Sequence, residues 1–213
     1  MQNNKHISPE NILHITSGDD ILPFNEAMCE GETCAEIFSD AFYRLRAAAY
    51  EIPLQEYLQK SPGNFLQSCL KNYDTLYLYF DYDMFCAVNV ITLLAFLEQA
   101  EYPGQIKFQL LEADGTVKVL DTWPVILGNY KKCYTKVLLD RQRFVTGNEL
   151  LDKGIALYLD YKKKNNRITR YIAAHGSAEQ MQLVQELLLK FADYGLTDMA
   201  AAKFIAAVRD KKR

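Results

Sequence analysis

Two short runs of carboxylates stand where the sequence places the ends of β-strands. Ser17-Gly18-Asp19-Asp20 follows Ile12 to Thr16, a run rich in β-branched residues, and Asp81-Tyr82-Asp83 follows the aromatic run Thr75 to Phe80. In an open α/β sheet, ligands gather beyond the carboxyl ends of the strands. If these two strands were parallel neighbours, up to four carboxylates would meet at one edge. There they would suit Mg²⁺, or would repel one another until one kept its proton and served as an acid. The competing explanation is backbone chemistry. Asp83 stands where a helix N-cap belongs, and Asp19 and Asp20 lie in a glycine-containing turn.

Cys86 and Asn89 follow Asp83 at spacings of three, on one face of the next helix. A cysteine near a helix N-terminus can serve as a nucleophile, although buried free cysteines are commoner. A buried asparagine needs partners, so Asn89 is expected to tie down backbone or ligand groups. Asn25, Glu26, Glu30 and Gly31 form a second polar group, and His14 lies within the first strand. Tyr130, Lys131, Lys132, Tyr134, Lys136, Arg141 and Arg143 mix aromatic rings with basic charge, a pattern of polyanion surfaces and of ordinary amphipathic helices alike.

The elements that must position these residues change character along the chain. Ile12 to Thr16 and Ile21 to Phe24 read as short strands, with Pro23 keeping the second at an edge. A helical period starts at Cys34 and passes through Phe38, Phe42 and Ala49. Pro53 opens a further helix, which Ser61-Pro62-Gly63 interrupts. Thr75 to Phe80 reads as a central strand covered on both faces. Met84 to Gln99 is apolar nearly all round and reads as a buried helix. Ile106 to Leu111 is a third strand, and Val117 to Leu120 a short returning one. Beyond Trp123-Pro124 everything reads as helix: Asn129 to Leu139, a helix started by a Thr146–Glu149 capping box, Ile168 to Ala174, the Met181 to Phe191 stripe, and a last helix capped by Thr197. The fold class is therefore α/β, with a small N-terminal α/β sheet domain over residues 1–122 and an all-helical C-terminal part over residues 123–213.

Composition narrows the function classes. The 213 residues are 49% hydrophobic and 24% charged, as in ordinary globular proteins. No run approaches the roughly 20 apolar residues that cross a bilayer, and the polar Met1 to Glu10 segment lacks signal-peptide features, so a cytoplasmic protein without a membrane partner is expected. The five cysteines are irregularly spaced and form neither a disulfide framework nor a zinc motif. Phosphate-loop, dinucleotide, serine-hydrolase and zinc-protease motifs are absent. Charge is unevenly spread. Residues 1–128 carry 7 basic and 18 acidic side chains, whereas residues 129–170 carry 11 basic and 4 acidic. The basic segment either packs beside the acidic half or faces a polyanion.

Three blocks together resemble a known bacterial family. They are Leu13-His14-Ile15-Thr16-Ser17-Gly18-Asp19, Asn25-Glu26-Ala27-Met28-Cys29-Glu30-Gly31, and Leu78-Tyr79-Phe80-Asp81-Tyr82-Asp83-Met84-Phe85-Cys86-Ala87-Val88-Asn89. The combination is similar to the family described as domain of unknown function 1835, over roughly residues 12–112. The resemblance implies a bacterial source and an α/β N-terminal domain, and transfers no activity. It directs attention to His14, Gly18, Asp19, Glu26, Glu30, Gly31, Asp83, Cys86 and Asn89. Only a few residues separate Asp19 from the Asn25-Glu26 block, where family members commonly have room for a helix that would cradle a phosphate.

The leading expectation is a small polar or phosphorylated ligand at the strand edge, bound by Asp19, Asp83 and Asn89 with His14 and Glu26 nearby. The alternative is a non-catalytic module that holds nucleic acid or an acidic protein on its basic 129–170 segment. A homodimer burying Trp123 and Tyr130 is a third reading. No residue pattern singles out a reaction, a cofactor or a metal.

Overall fold

The computed structural model describes residues 4–8, 21–24, 26–112, 118–175 and 178–210. It is an α/β fold with a helical part. Five strands form one mixed sheet: β1 (Asn4–Ser8), β2 (Ile21–Pro23), β3 (Thr75–Phe80), β4 (Gln105–Glu112) and β5 (Lys118–Val125), in the order β2-β1-β3-β4-β5. The first four run parallel, and β5 returns antiparallel to β4. β2 is an edge strand and ends on Pro23, where a missing N–H costs no ladder bond.

β3 is central, as its unbroken aromatic run predicts, but its two faces differ. Leu76, Leu78 and Phe80 point into the main core, where Phe80, Phe108 and Trp123 stack across three strands. The opposite face carries a small cluster of Tyr79 and Leu111 with Tyr77 and Val119, all from strands. The strand expected at Ile12–Thr16 lies outside the described residues, as do His14, Gly18, Asp19, Asp20 and Asn25. The strand that lies between β2 and β3 is Asn4–Ser8. It contains Lys5, 2% exposed, whose ammonium sits 4.2 Å from the centroid of the Phe65 ring. A lysine in that place hides the strand from any apolar alternation.

Helices α1 (Asp40–Ala49), α2 (Leu54–Lys60) and α3 (Gly63–Cys69) connect β2 to β3. The first begins six residues later than the Cys34 period suggests. Phe38 takes a left-handed φ of 59°, and Ser39 then caps the helix by accepting from the Phe42 amide. Helix α4 (Met84–Gln99) has the expected bounds and is buried along nearly its whole length. The chain continues through α5 (Tyr130–Tyr134), a π turn (Thr135–Leu139), α6 (Glu149–Tyr161), α7 (Arg167–Ala174), α8 (Gln180–Lys190) and α9 (Asp198–Asp210). Asn148, not Thr146, caps α6: its side chain accepts from Leu150 and Leu151. Thr146 instead bonds Asp152 through both its amide and its hydroxyl, one turn further along.

Helices α5 and α6 lie against α4, so the C-terminal helices and the sheet share one buried core. Gly154 sets the closeness of that contact, because a Cβ there would collide with Ala87 of α4. Among the described residues, no helix is long and apolar enough to cross a membrane.

Candidate functional site

The segment from Glu26 to Cys34 has no regular structure, yet long-range hydrogen bonds hold it from every side. Arg46 of α1, 1% exposed, reaches it with its whole guanidinium. Nε pairs with Glu26 Oε2 at 3.3 Å, Nη1 donates to the Glu30 carbonyl at 2.5 Å, and Nη2 donates to the Ala27 carbonyl at 2.8 Å. A planar guanidinium with five donors suits this task, whereas a lysine would offer one point charge. Asn89, fully buried, fixes the other side: it donates to the Glu26 carbonyl at 2.5 Å and accepts from the Met28 amide at 3.1 Å. The Tyr50 hydroxyl accepts from the Ala27 amide. The C-terminal helices close the ring. Tyr134 donates to the Cys34 carbonyl, Lys162 donates to the Cys29 carbonyl at 3.1 Å, and Tyr161 donates to the Glu30 carboxylate.

Among the described residues, two sizeable clefts flank this loop. On one side, Glu26 floors a cleft of about 510 Å³ walled by Pro23, Tyr50, Ile52 and Tyr57. Tyr57 donates to Glu26 Oε1. Burial pushes the Glu26 carboxyl above its ordinary range, and Arg46 and Tyr57 oppose the shift without cancelling it. On the other side, Glu30, Glu32, Arg141, Tyr161, Lys162 and Lys163 line a cleft of about 830 Å³, completed by Lys203, Phe204 and neighbours on α9. Arg141 has a left-handed φ of 55° and turns its guanidinium inward. It donates to the Leu138 carbonyl and the Tyr158 hydroxyl, and it lies 3.6 Å from Glu32.

The structure brings some sequence candidates together and separates others. Glu26, Glu30 and Asn89 all belong to the loop assembly. Asp83 and Cys86 belong to the start of α4, where the Asp83 carboxylate accepts from the Cys86 amide at 2.6 Å and acts as the helix cap. Gly195 packs against the start of α4. It has a φ of 64°, and a Cβ on it would strike the Asp83 carboxylate. The Cys86 thiol is buried, and burial followed by the Asp83 charge drives it well above the ordinary thiol range, so it is a core residue rather than a thiolate. His14, Gly18 and Asp19 lie outside the described residues. Among the described residues, no group of three or more His, Cys, Asp or Glu is arranged to hold a metal.

Burial also raises the Asp83 carboxyl to about 6; the Cys86 amide opposes this, and Asp81 adds to it. A carboxyl whose pKa is raised by folding stabilises the fold in its protonated form. That contribution is complete below about pH 4 and is lost as pH rises through about 6. Asparagine keeps the cap's acceptor without the charge. Asp83→Asn is therefore expected to melt higher than the parent at about pH 8, with the difference shrinking towards about pH 4. A variant that melts lower at the alkaline end would show the buried charge to be stabilising.

Arg46, Tyr57, Tyr161 and Lys162 were not evident as site residues in the sequence. Arg46 did leave a signal, since it lies four residues after Phe42, on the stripe that the helix buries. Comparison with known proteins finds no matching family model, no similar curated protein and no similar solved structure.

Proposed function

We propose that this protein binds a small anionic ligand, carrying a phosphate or carboxylate, in the cleft between the Glu26–Cys34 loop, α6 and α9. The observation that carries this reading is the lining: four basic side chains, Arg141, Lys162, Lys163 and Lys203, face two acidic ones, Glu30 and Glu32, around an apolar floor of Leu159, Ala200, Phe204 and Ala207. Clefts of this size with an apolar body and a few convergent polar groups are the usual form of small-molecule sites. The sequence's basic segment supplies three of the four cations. The inward turn of Arg141 and Lys162 favours a compact ligand over an extended polyanion, which needs charge spread along an open face. Glu30 is already engaged by Tyr161, and Glu32 lies at the rim with 77% of its side chain exposed, so neither blocks an anion from the basic wall.

Calorimetric titration with inorganic phosphate is the direct test. Saturable binding is expected for the parent protein. Arg141→Gln should weaken it about tenfold, as a charge-assisted hydrogen bond worth about 1.5 kcal/mol implies, and Lys203→Gln, at an exposed and screened position, about threefold. No saturable heat with the parent protein, or equal affinity in both variants, would overturn the reading.

A further inference from the structure

Within this cleft Lys162 stands apart from the other lysines. It follows α6 directly, and its amine is turned back against the loop, donating to the Cys29 carbonyl at 3.1 Å. Among the described residues it makes no ion pair, whereas Lys163 lies 3.9 Å from Asp160. The Lys162 amine lies 5.8 Å from the Tyr158 ring centroid, and the Arg141 guanidinium carbon lies 5.3 Å from the same centroid. Two cations therefore share one aromatic ring at the edge of the cleft.

We infer that Lys162 is a carbonyl-reactive lysine, whose amine condenses with the aldehyde or ketone of a small ligand anchored through its anionic group by Arg141, Lys163 and Lys203. The inference rests on the anion-binding reading of the cleft and adds the reactive group of the ligand. Burial and the Arg141 charge hold the Lys162 ammonium below the ordinary lysine range, although Glu30, Cys29 and Glu32 pull the other way. A larger share of neutral amine follows, and the neutral amine is the nucleophile. An amine beside a second cation in a partly desolvated pocket is a recognised way of activating lysine for imine formation.

The chemistry balances without any oxidant or reductant. The amine lone pair forms a C–N bond to the carbonyl carbon, giving a carbinolamine. Its hydroxyl takes up a proton and leaves as water while the nitrogen loses its remaining proton, and the C=N bond forms. Glu30 lines the same cleft and is hydrogen-bonded to Tyr161, so a carboxyl group is at hand to carry that proton.

Reductive trapping on the full chain tests this. The protein is incubated with limiting glycolaldehyde phosphate and cyanoborohydride, then mapped by peptide mass spectrometry. The expected result is a secondary-amine adduct on Lys162 at least tenfold over Lys163 and Lys203, suppressed by excess inorganic phosphate and absent from Lys162→Arg. Glycolaldehyde without the phosphate should label Lys162 at least tenfold less. The parent protein's map suffices if the variant does not fold. Adducts spread over the exposed lysines, while calorimetry still shows phosphate binding, would overturn the reactive lysine and leave the anion cleft standing. Spread adducts with no phosphate binding would overturn both. A dominant Lys162 adduct that phosphate does not suppress would overturn the anchoring of the ligand by its anion.

Discussion

Arg46→Ala is expected to lower the unfolding free energy by about 3–5 kcal/mol, the usual cost of removing one partner from a buried ion pair. For a chain of this length, that is a fall in melting temperature of roughly 6–20 °C. Arg46 and Glu26 are both 1% exposed, so alanine leaves a carboxylate in the interior with, among the described residues, Tyr57 as its remaining side-chain partner. The same change strands the Glu30 carbonyl and leaves the Ala27 carbonyl with the Glu30 amide alone. Glu26 already has a raised pKa, and losing the arginine raises it further. A proton then becomes the cheapest remedy, so the destabilisation should be smaller at about pH 5 than at about pH 8. Adding Glu26→Gln should recover part of the loss at the higher pH. Urea unfolding at the two pH values reads all of this. A loss below about 1 kcal/mol at pH 8 would mean that the loop does not depend on this pair.

The second large effect belongs to Asn89. Asn89→Leu keeps the shape of the side chain but leaves the Glu26 carbonyl and the Met28 amide without partners inside the core. At about 1–3 kcal/mol for each of the two stranded groups, the expected loss is about 2–6 kcal/mol. Hydrogen exchange separates this local cause from a general weakening of the helix. The Met28 amide should exchange much faster in the variant, while amides in the middle of α4 change only as far as global stability does. Met28 exchange that tracks the mid-helix amides would show that Asn89 does not hold the loop.

These two residues show what was legible in the sequence. Asn89 was visible because a polar amide in the otherwise apolar Met84 to Gln99 run has to be satisfied, and the structure supplies its partners. The bounds of β3 and α4, and the Asp83 cap between them, were visible for a related reason: local pattern, propensity and burial agree there. Arg46 was hidden because its partners other than Glu26 are backbone carbonyls in a segment without periodicity, and no pattern of side chains announces a carbonyl. The spacing places the start of α1 too early, because Cys34 and Phe38 keep the helical period while the backbone at Phe38 leaves the helical region. The α6 cap was misplaced by two residues because Thr146 and Asn148 both have capping chemistry, and the competition was decided by the Asp152 carboxylate, which claims Thr146. The larger cleft leaves no local signal, because its walls come from residues near 30, 141, 162 and 203, which no local window joins.

The ring of hydrogen bonds around the Glu26–Cys34 loop also sets an order of events during synthesis. Arg46 and Asn89 are available soon after the loop leaves the ribosome. Tyr134, Tyr161 and Lys162 are translated 100 or more residues after the groups they bind. Contacts of such high sequence separation form late, since the entropy of closing the long intervening chain comes first. The nascent N-terminal half must therefore wait with one side of this loop, and the apolar flank of α4, open to solvent and to chaperones. The larger cleft comes into being only after Lys203 and Phe204 have been made, because both are among its walls.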